Sequence, residues 1–373
     1  MRRIATALQL ATAILTSATA CAGAVGAQAM RDMSILTGAD GGTYHRFGRD
    51  IATVLKKVCR ADLDVRPSQG SLENLDRLQN EPFAQLAIVQ QDVLDYVLLN
   101  KGRSPTVKKY VDSFRYVLPL YREEVHIVVR RGAGIATLAD LAGKSVAVGE
   151  TGSGTNLTAT VLLINTGLSR RLKAALEIGP REGILRLLGL EGGVPVDALF
   201  YVAGQPVPLL SGGDPRITPD RLGQLSLVAI PKSPVPRLYA AARFTPETYN
   251  WLDRPVDTIS VRAVLITYNY KGGQCDNVAM TERLIKDQLE ELQRFGHPKW
   301  QHVNVDAAVD GWQRYACVEK RQSTPIDACR FVADRDRPGG PAVDCHEACE
   351  ARELKRNALR CLLCRDKAAL QSE

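Results

Sequence analysis

After its first segment the chain has no long apolar run. The longest, such as Val125–Val129 and Val161–Ile164, are the size of a strand or a short helix, well below the ~20 residues that a membrane-spanning helix needs. There is no stretch of Lys and Arg interleaved with aromatics. The excess of 48 Lys+Arg over 41 Asp+Glu is spread along the chain, so nothing points to nucleic acid. His45, His126, His297, His302 and His346 show no paired spacing for a metal. Gly149–Thr155 is glycine-rich but lacks the Lys of a phosphate-binding loop. Gly152-Ser153-Gly154 lacks the glycines of a nucleophile elbow. A hydrolase using Ser153 is the one enzymatic reading left. No catalytic residue, metal or cofactor is expected, and the chain reads as a binding protein and not as an enzyme.

What is present begins with export. Arg2 and Arg3 precede an uncharged, small and apolar stretch, Ile4–Ala20, and Ala27-Gln28-Ala29 fits the small-x-small rule. This predicts a signal peptide over 1–29, cut after Ala29, and a periplasmic mature chain. A lipoprotein cut before Cys21 lacks its usual large aliphatic residue. Of nine cysteines, removal of Cys21 leaves Cys59, Cys275, Cys317, Cys329, Cys345, Cys349, Cys361 and Cys364. An even set in an oxidising compartment reads as disulfides. With 45% apolar and 24% charged residues, the mature chain is globular and long enough for two cores. A formal charge of +7 reads first as ordinary surface charge, with attraction of an anionic ligand as the alternative.

Hydrophobic periodicity alternates between strand and helix. Strands are expected at 33–37, 63–67, 86–89, 116–120, 125–129, 145–148, 196–202, 225–230 and 260–268. Helices are expected from Phe47 to Val58, over 72–78 and 92–99, as a short turn over 134–141, and over 155–165 and 281–295. This pattern predicts an α/β fold with a largely parallel sheet. Three times a strand runs through a Gly/Ser/Thr loop into a helix, after residues 37, 67 and 148. Such loops put unpaired backbone N–H groups at a positive helix end, where anions are favoured.

Several segments then occur in a recognisable order: Gly41-Gly-Thr-Tyr44, Gly70-Ser-Leu-Glu-Asn-Leu75, Leu86-Ala-Ile-Val-Gln-Gln-Asp92 and Glu124-Val-His-Ile-Val-Val129. Leu138–Thr155 and Val196-Asp-Ala-Leu-Phe-Tyr-Val-Ala-Gly-Gln-Pro206 follow. Together they resemble the TAXI family, the extracytoplasmic solute receptors of TRAP transporters. The resemblance implies a two-lobed type II periplasmic-binding-protein fold with a ligand cleft between the lobes. One lobe would comprise 30–124 and 231–305, the other 125–230. It implies a small carboxylate ligand, an organic acid or an amino acid such as glutamate, and a TRAP-type membrane permease as partner. The alternative is a periplasmic binding protein serving a sensor or another protein. By matched positions the site would hold Thr43, Tyr44, Ser71, Asn74, Gln90, Asp92, Ser153, Thr155, Asn156, Gly204 and Gln205. The hydroxyls of Thr43, Ser71, Ser153 and Thr155 would donate to a carboxylate, and Asp92 would suit an ammonium group or cap a helix beside Val93. The family's Tyr and Pro after Gly-Thr-Tyr are here His45-Arg46; Arg46 either grips a further carboxylate or lies in solvent.

Residues 306–373 are expected to form a Cys-rich C-terminal extension beyond the family pattern, with a small helical, disulfide-stapled tail. Spacings of four and three place Cys345 with Cys349, and Cys361 with Cys364, on helical faces. Bridges Cys345–Cys364 and Cys349–Cys361 would staple two helices, with zinc as the alternative for these four thiols. Cys317–Cys329 and Cys59–Cys275 complete the expected set.

Overall fold

A computed structural model describes residues 33–320, apart from 82, 104, 233–235, 237 and 272, together with Cys329. The expected signal peptide and the tail cysteines Cys345, Cys349, Cys361 and Cys364 lie outside the described residues. Among the described residues no helix is long and apolar enough to cross a membrane.

The first half alternates strand and helix as the periodicity predicts. β1 (Ser34–Leu36) leads to α1 (Thr43–Cys59), β2 (Asp64–Arg66) to α2 (Ser71–Asn80), and β3 (Ala84–Gln90) to α3 (Gln91–Asn100) and α4 (Pro105–Ser113). Then comes β4 (Phe114–Arg130), one continuous strand where two were expected. Pro119 sits within it and has no N–H for the ladder; the pairing shifts register beside it. The second half runs through β5 (Ser145–Ala147), α5 (Gly154–Asn165), β6 (Ala174–Leu176), α6 (Pro180–Leu187), β7 (Ala198–Ala203), β8 (Leu225–Leu227) and β9 (Ala240–Phe244). β10 (Val256–Tyr268) returns to the first half, followed by α7 (Gly273–Asp287), α8 (Leu289–Phe295) and α9 (Ala316–Lys320). The single helix expected over 281–295 is thus two, broken at Gln288, whose ψ of 17° leaves the helical range.

The strands lie in the order β2-β1-β3-β10-β4-β7-β5-β6, with β8 also on β4 and β9 on β10. The first half therefore reads second, first and third strand followed by the strand arriving from elsewhere, β10. The second half repeats that order as β6-β5-β7 followed by β4. Pairs within each repeat are parallel. The two long strands that pass between the halves pair antiparallel with their neighbours. The sheet is mixed and not largely parallel, because those two crossings occupy its centre. A repeated α/β half joined by two long crossing strands is the two-lobed type II binding-protein arrangement.

Each half buries apolar clusters of its own. Phe47, Leu86, Leu118 and Leu265 belong to one cluster of the first lobe, and Leu75, Val89, Val93 and Val264 to another. In the second lobe, Val125, Val146, Phe200 and Tyr239 form one core, and Ile184, Leu199, Tyr249 and Trp251 the other. Two expected boundaries move. Val228, Ile230, Tyr239, Phe244, Trp251 and Ile259 pack in the second lobe's cores, so the chain re-enters the first lobe along β10 near residue 262, not at 231. The reason is β9, which pairs with the first turns of β10 on the second-lobe side. Residues 306–320 are not an appendage. Val309, Tyr315 and Val318 complete first-lobe clusters, and the Tyr315 N–H donates to the Tyr116 carbonyl at 2.9 Å.

The cysteine pairing also differs from expectation. Cys59 joins Cys329, and Cys275 joins Cys317, with Cα–Cα distances of 5.3 and 5.6 Å. Cys59–Cys275 and Cys317–Cys329 are therefore not the pairs. Packing of α9 on α7 brings Cys317 to Cys275, a contact between segments that spacing alone does not reveal.

Candidate functional site

The lobes meet where strands end and helices begin. In α1, residues 44, 47, 51, 54 and 55 turn inward on one helical face. Phe47 stacks on Trp300 with ring centroids 4.3 Å apart and lies 4.4 Å from Tyr121. That packing fixes α1 so that the Tyr44 hydroxyl reaches β4, where it donates to the Glu123 carboxylate at 2.7 Å. The same hydroxyl lies 3.5 Å from the Ser71 Oγ. Ser71, the first residue of α2, accepts from the Gln90 N–H at 3.0 Å and so pins the end of β3. Thr43 is buried with its hydroxyl beside that of Tyr121.

The second lobe closes directly onto this group. The Gly152 carbonyl accepts from the N–H groups of Leu72 and Glu73 in the first turn of α2, at 3.0 and 3.3 Å. Gly154, at the start of α5, lies so close to Gln90 that a Cβ built there falls 1.6 Å from the Gln90 amide oxygen and 2.9 Å from the Ser71 Oγ. Deeper in, the Asp92 carboxylate accepts from the Thr158 hydroxyl of α5 at 2.6 Å and from Tyr239 at 2.9 Å. It also accepts from the Val93 N–H at 2.9 Å. Asp92 therefore latches the lobes together and does not stand free for an ammonium group.

The expected site residues divide. Thr43, Tyr44, Ser71, Gln90 and Asp92 come together at the lobe interface, and Gly154 faces them. Asn74 does not join them. Its amide donates to the carbonyls of Thr37 and Ile88 at 2.5 and 2.7 Å, tying β1 to β3. Ser153 caps α5, accepting from the Asn156 N–H at 3.1 Å and donating to the Glu150 carbonyl. Thr155 accepts from the Val202 N–H at 3.1 Å, and the Asn156 amide donates to the Gly149 carbonyl at 3.2 Å. These three hold the second lobe's loop in shape. Gly204 lets the Lys299 chain and the Tyr121 ring approach; a Cβ there would lie 2.8 Å from the ring and 3.1 Å from the Lys299 Cγ. The Gln205 N–H donates to Glu124 at 2.9 Å. Arg46 is exposed on α1.

Residues 35–311 match the model of the NMT1-like family. The chain belongs to that family. Solved structures with which this NMT1-like chain shares similarity include the alkanesulfonate-binding protein SsuA from Xanthomonas axonopodis pv. citri bound to MOPS. That match has 16% identity, covers 91% of this chain and 93% of that one, and has a TM-score of 0.43. A substrate-binding protein of an ABC uptake transporter from Streptococcus pneumoniae, with bound histidine, has 12% identity over 75% and 97% of the two chains at a TM-score of 0.46. The GluR0 ligand-binding core from Nostoc punctiforme, in complex with L-glutamate, has 15% identity over 70% and 98% at 0.41.

In this NMT1-like chain the most unusual feature of the interface is its charge. Glu123, Glu124 and Asp92 are all buried, and Lys299 is the buried cation among them. The Lys299 ammonium donates to both oxygens of Glu124, at 2.6 and 2.9 Å. Its turn, Pro298–His302, is anchored because Asp50 accepts from the His297 N–H and the Trp300 indole, both at 2.8 Å. Burial pushes Glu123 up to about 8, with the neighbouring charges of Asp92 and Glu124 adding to the rise against the Tyr44 hydrogen bond and Lys299. Burial likewise raises Asp92 to about 6. Tyr44 and Tyr121 lie well above the usual phenol range, first by burial and then by the Glu123 charge. His126 is pushed down to about 3 by burial. Its Nδ1 faces the carbonyls of Glu124 and Tyr201, and its Nε2 faces the Tyr249 hydroxyl at 2.8 Å. A neutral ring with its proton on Nδ1 satisfies all three.

Sequence reasoning missed Glu123, Tyr121, Thr158, Tyr239 and Lys299. One signal was available: the charged run Arg122-Glu123-Glu124, with His126 after it, interrupts the apolar strand from Val117 to Val129. Adjacent carboxylates in a strand covered on both faces have no solvated side to turn to. Among the described residues no cluster of His, Cys, Asp and Glu could hold a metal ion.

Proposed function

We propose that this chain is an extracytoplasmic solute-binding receptor that closes its lobes on a small carboxylate-bearing ligand and delivers it to a TRAP-type permease. The observation that carries this reading is the first turn of α2. Its Leu72 and Glu73 amides point between the lobes beside the Ser71 hydroxyl, and they are held by the Gly152 carbonyl. Backbone amides at a helix start are well suited to a carboxylate, and a ligand carboxylate would replace that carbonyl when the lobes part. The TAXI resemblance supports the permease as partner and export through the N-terminal signal. The two buried crossing strands support hinge closure as the working motion. The ligand is bound and released unchanged.

The test is thermal melting of residues 30–373 against organic acids, amino acids and sugars. Binding to the folded state must raise Tm once ligand exceeds its Kd. A shift with a carboxylate compound that weakens about tenfold in Ser71→Ala supports the reading. Folded protein that shifts with nothing in the panel refutes it.

A further inference from the structure

Resting on that receptor reading, we propose that the ligand must also carry a cationic amine, received by the Glu123 carboxylate together with the Gln90 amide oxygen.

The argument starts from the balance of donors and acceptors at the lobe interface. The buried acidic groups are Asp92, Glu123 and Glu124. Lys299 is spent on Glu124, whose other donor is the Gln205 N–H. Asp92 is occupied by Thr158, Tyr239 and the Val93 N–H. Among the described residues Glu123 is held by a single neutral donor, the Tyr44 hydroxyl. A buried carboxylate without a cation is costly unless it is protonated or a charge arrives to pair it.

The second observation is independent of that charge. Gln90 is 2% exposed, and its amide oxygen has no hydrogen-bond donor among the described residues. Buried acceptors of this kind are rare in native interiors and call for a partner. The orphaned oxygen belongs to the same group of side chains as Glu123. It and the Ser71 Oγ both crowd the space at Gly154, and Ser71 Oγ is 3.5 Å from the Tyr44 hydroxyl that binds Glu123. The one neutral donor left over among the described residues here is the Tyr121 hydroxyl, and no cation accompanies it. An ammonium group brings three N–H donors and a positive charge, answering both the unpaired acid and the unpaired amide oxygen. A plain di- or tricarboxylate answers neither and adds negative charge beside Glu123. With its carboxylate at the α2 amides and its amine at Glu123, a zwitterion uses both ends of the site.

The experiment compares pairs of compounds that differ in the amine alone: glutamate with α-ketoglutarate, alanine with pyruvate, and leucine with α-ketoisocaproate. Titration calorimetry uses the oxidised, exported chain and its Glu123→Gln variant, which keeps an acceptor for Tyr44. The wild type should prefer the amine-bearing member of a pair by about 30-fold or more, as expected for a buried charge pair, and Glu123→Gln should lose that preference. Keto acids binding the wild type as tightly as their amine partners would overturn the proposal and leave the receptor reading intact, and so would a folded Glu123→Gln variant that keeps the preference. The wild-type comparison decides alone if the variant does not fold. If no compound of either series binds, the melting panel decides: a carboxylate without an amine that raises Tm overturns the proposal and leaves the receptor reading intact, and no shift with any compound takes both down.

Discussion

The carbonyl oxygen of Gly152 accepts a hydrogen bond from the Leu72 N–H at 3.0 Å, joining a loop of the second lobe to the first turn of a helix in the first. The bond uses backbone on both sides, so it depends on how closely the two chains can approach and not on side-chain identity. Gly154 supplies that closeness, because a Cβ there would overlap the Gln90 amide. A Cβ at Gly70 would meet the Gly154 nitrogen at an ordinary 3.5 Å; what Gly70 supplies is its φ of 121°, which turns the chain into the helix. Closure is therefore encoded in what position 154 lacks.

Gly154→Val should hold the lobes apart. Gly154 is the first residue of α5, so a side chain there does not strain the helix and each lobe should fold unchanged. The added atoms meet Gln90 Oε1 and Cδ at 1.6 and 2.4 Å and Ser71 Oγ at 2.9 Å. The glutamine can swing away from one methyl but not from a branched side chain. The expected outcome is a larger radius of gyration in small-angle scattering, Tm within a few degrees of wild type, and ligand affinity reduced about tenfold or more, the loss expected when the closed form becomes a minor species. An unchanged radius with unchanged affinity would show that Gly154 does not limit closure.

Asp92 gives the interface a pH dependence. Its folded-state value, about 6, lies above the ordinary 3.8. The folded protein thus holds this proton more tightly than the unfolded chain does. The associated stability is complete below the unfolded value and is lost as pH rises through about 6. Asp92→Asn cannot titrate. Its stability relative to wild type should rise by about 3 kcal/mol between pH 4 and 6, read from urea midpoints at both pH values. A constant difference across that range would assign the latch a different protonation state.

Much of the architecture was legible because it follows from period and punctuation. Phe47, Ile51, Val54 and Leu55 could only be one face of a helix, and Gly70 before Leu72 could only begin another. The continuity of β4 was hidden by Pro119, which reads as a break in sequence and is absorbed by a register shift in the sheet. The path of 231–261 was hidden because membership of a lobe is decided by partners distant in sequence, here Ser260 and Ile259 against Ala240 and Ala241. In the site, motif position found the residues at the start of helices but could not tell a free hydroxyl from a spent one. Ser153 and Thr155 are spent on their own loop and on β7. Glu123 lies in a strand, outside every glycine loop, and its importance arises from the burial that β10, α1 and the second lobe impose together.

Glu123 predicts a second pH effect at higher pH. Its folded-state value is about 8 against an ordinary 4.5, raised by burial and by Asp92 and Glu124 against Tyr44 and Lys299. Stability from this group is complete below the unfolded value and falls as pH rises to about 8, where the buried charge forms. Glu123→Gln removes the charge. The variant should gain on wild type by a few kcal/mol between pH 5 and 9, measured as the difference in urea midpoints. Occupation by an amine should reverse the logic. Calorimetry of an amine ligand at neutral pH in buffers of different ionisation enthalpy should detect a proton leaving the protein, and the same titration of Glu123→Gln should not.

The Cys275–Cys317 bond should be the staple that holds the chain's return onto the first lobe. It joins α7 to α9 across a sequence separation of 42, and α9 is five residues long, with Val318 as its buried apolar residue. A helix that short has little stability of its own. The segment before it is held by Tyr315, whose hydroxyl donates to the Tyr270 carbonyl at 2.9 Å and whose N–H donates to the Tyr116 carbonyl. Losing the bond frees the unfolded chain from a closed loop, worth about 4 kcal/mol on the chain-entropy scale and commonly somewhat less when measured. Cys275→Ser with Cys317→Ser should therefore lower stability by about 2–4 kcal/mol. Reductant should lower the wild-type urea midpoint further than that of the double variant, because the wild type has this bond to lose as well as Cys59–Cys329. Equal midpoints for the variant and the oxidised wild type would show that Tyr315 and Val318 hold the segment without the bond.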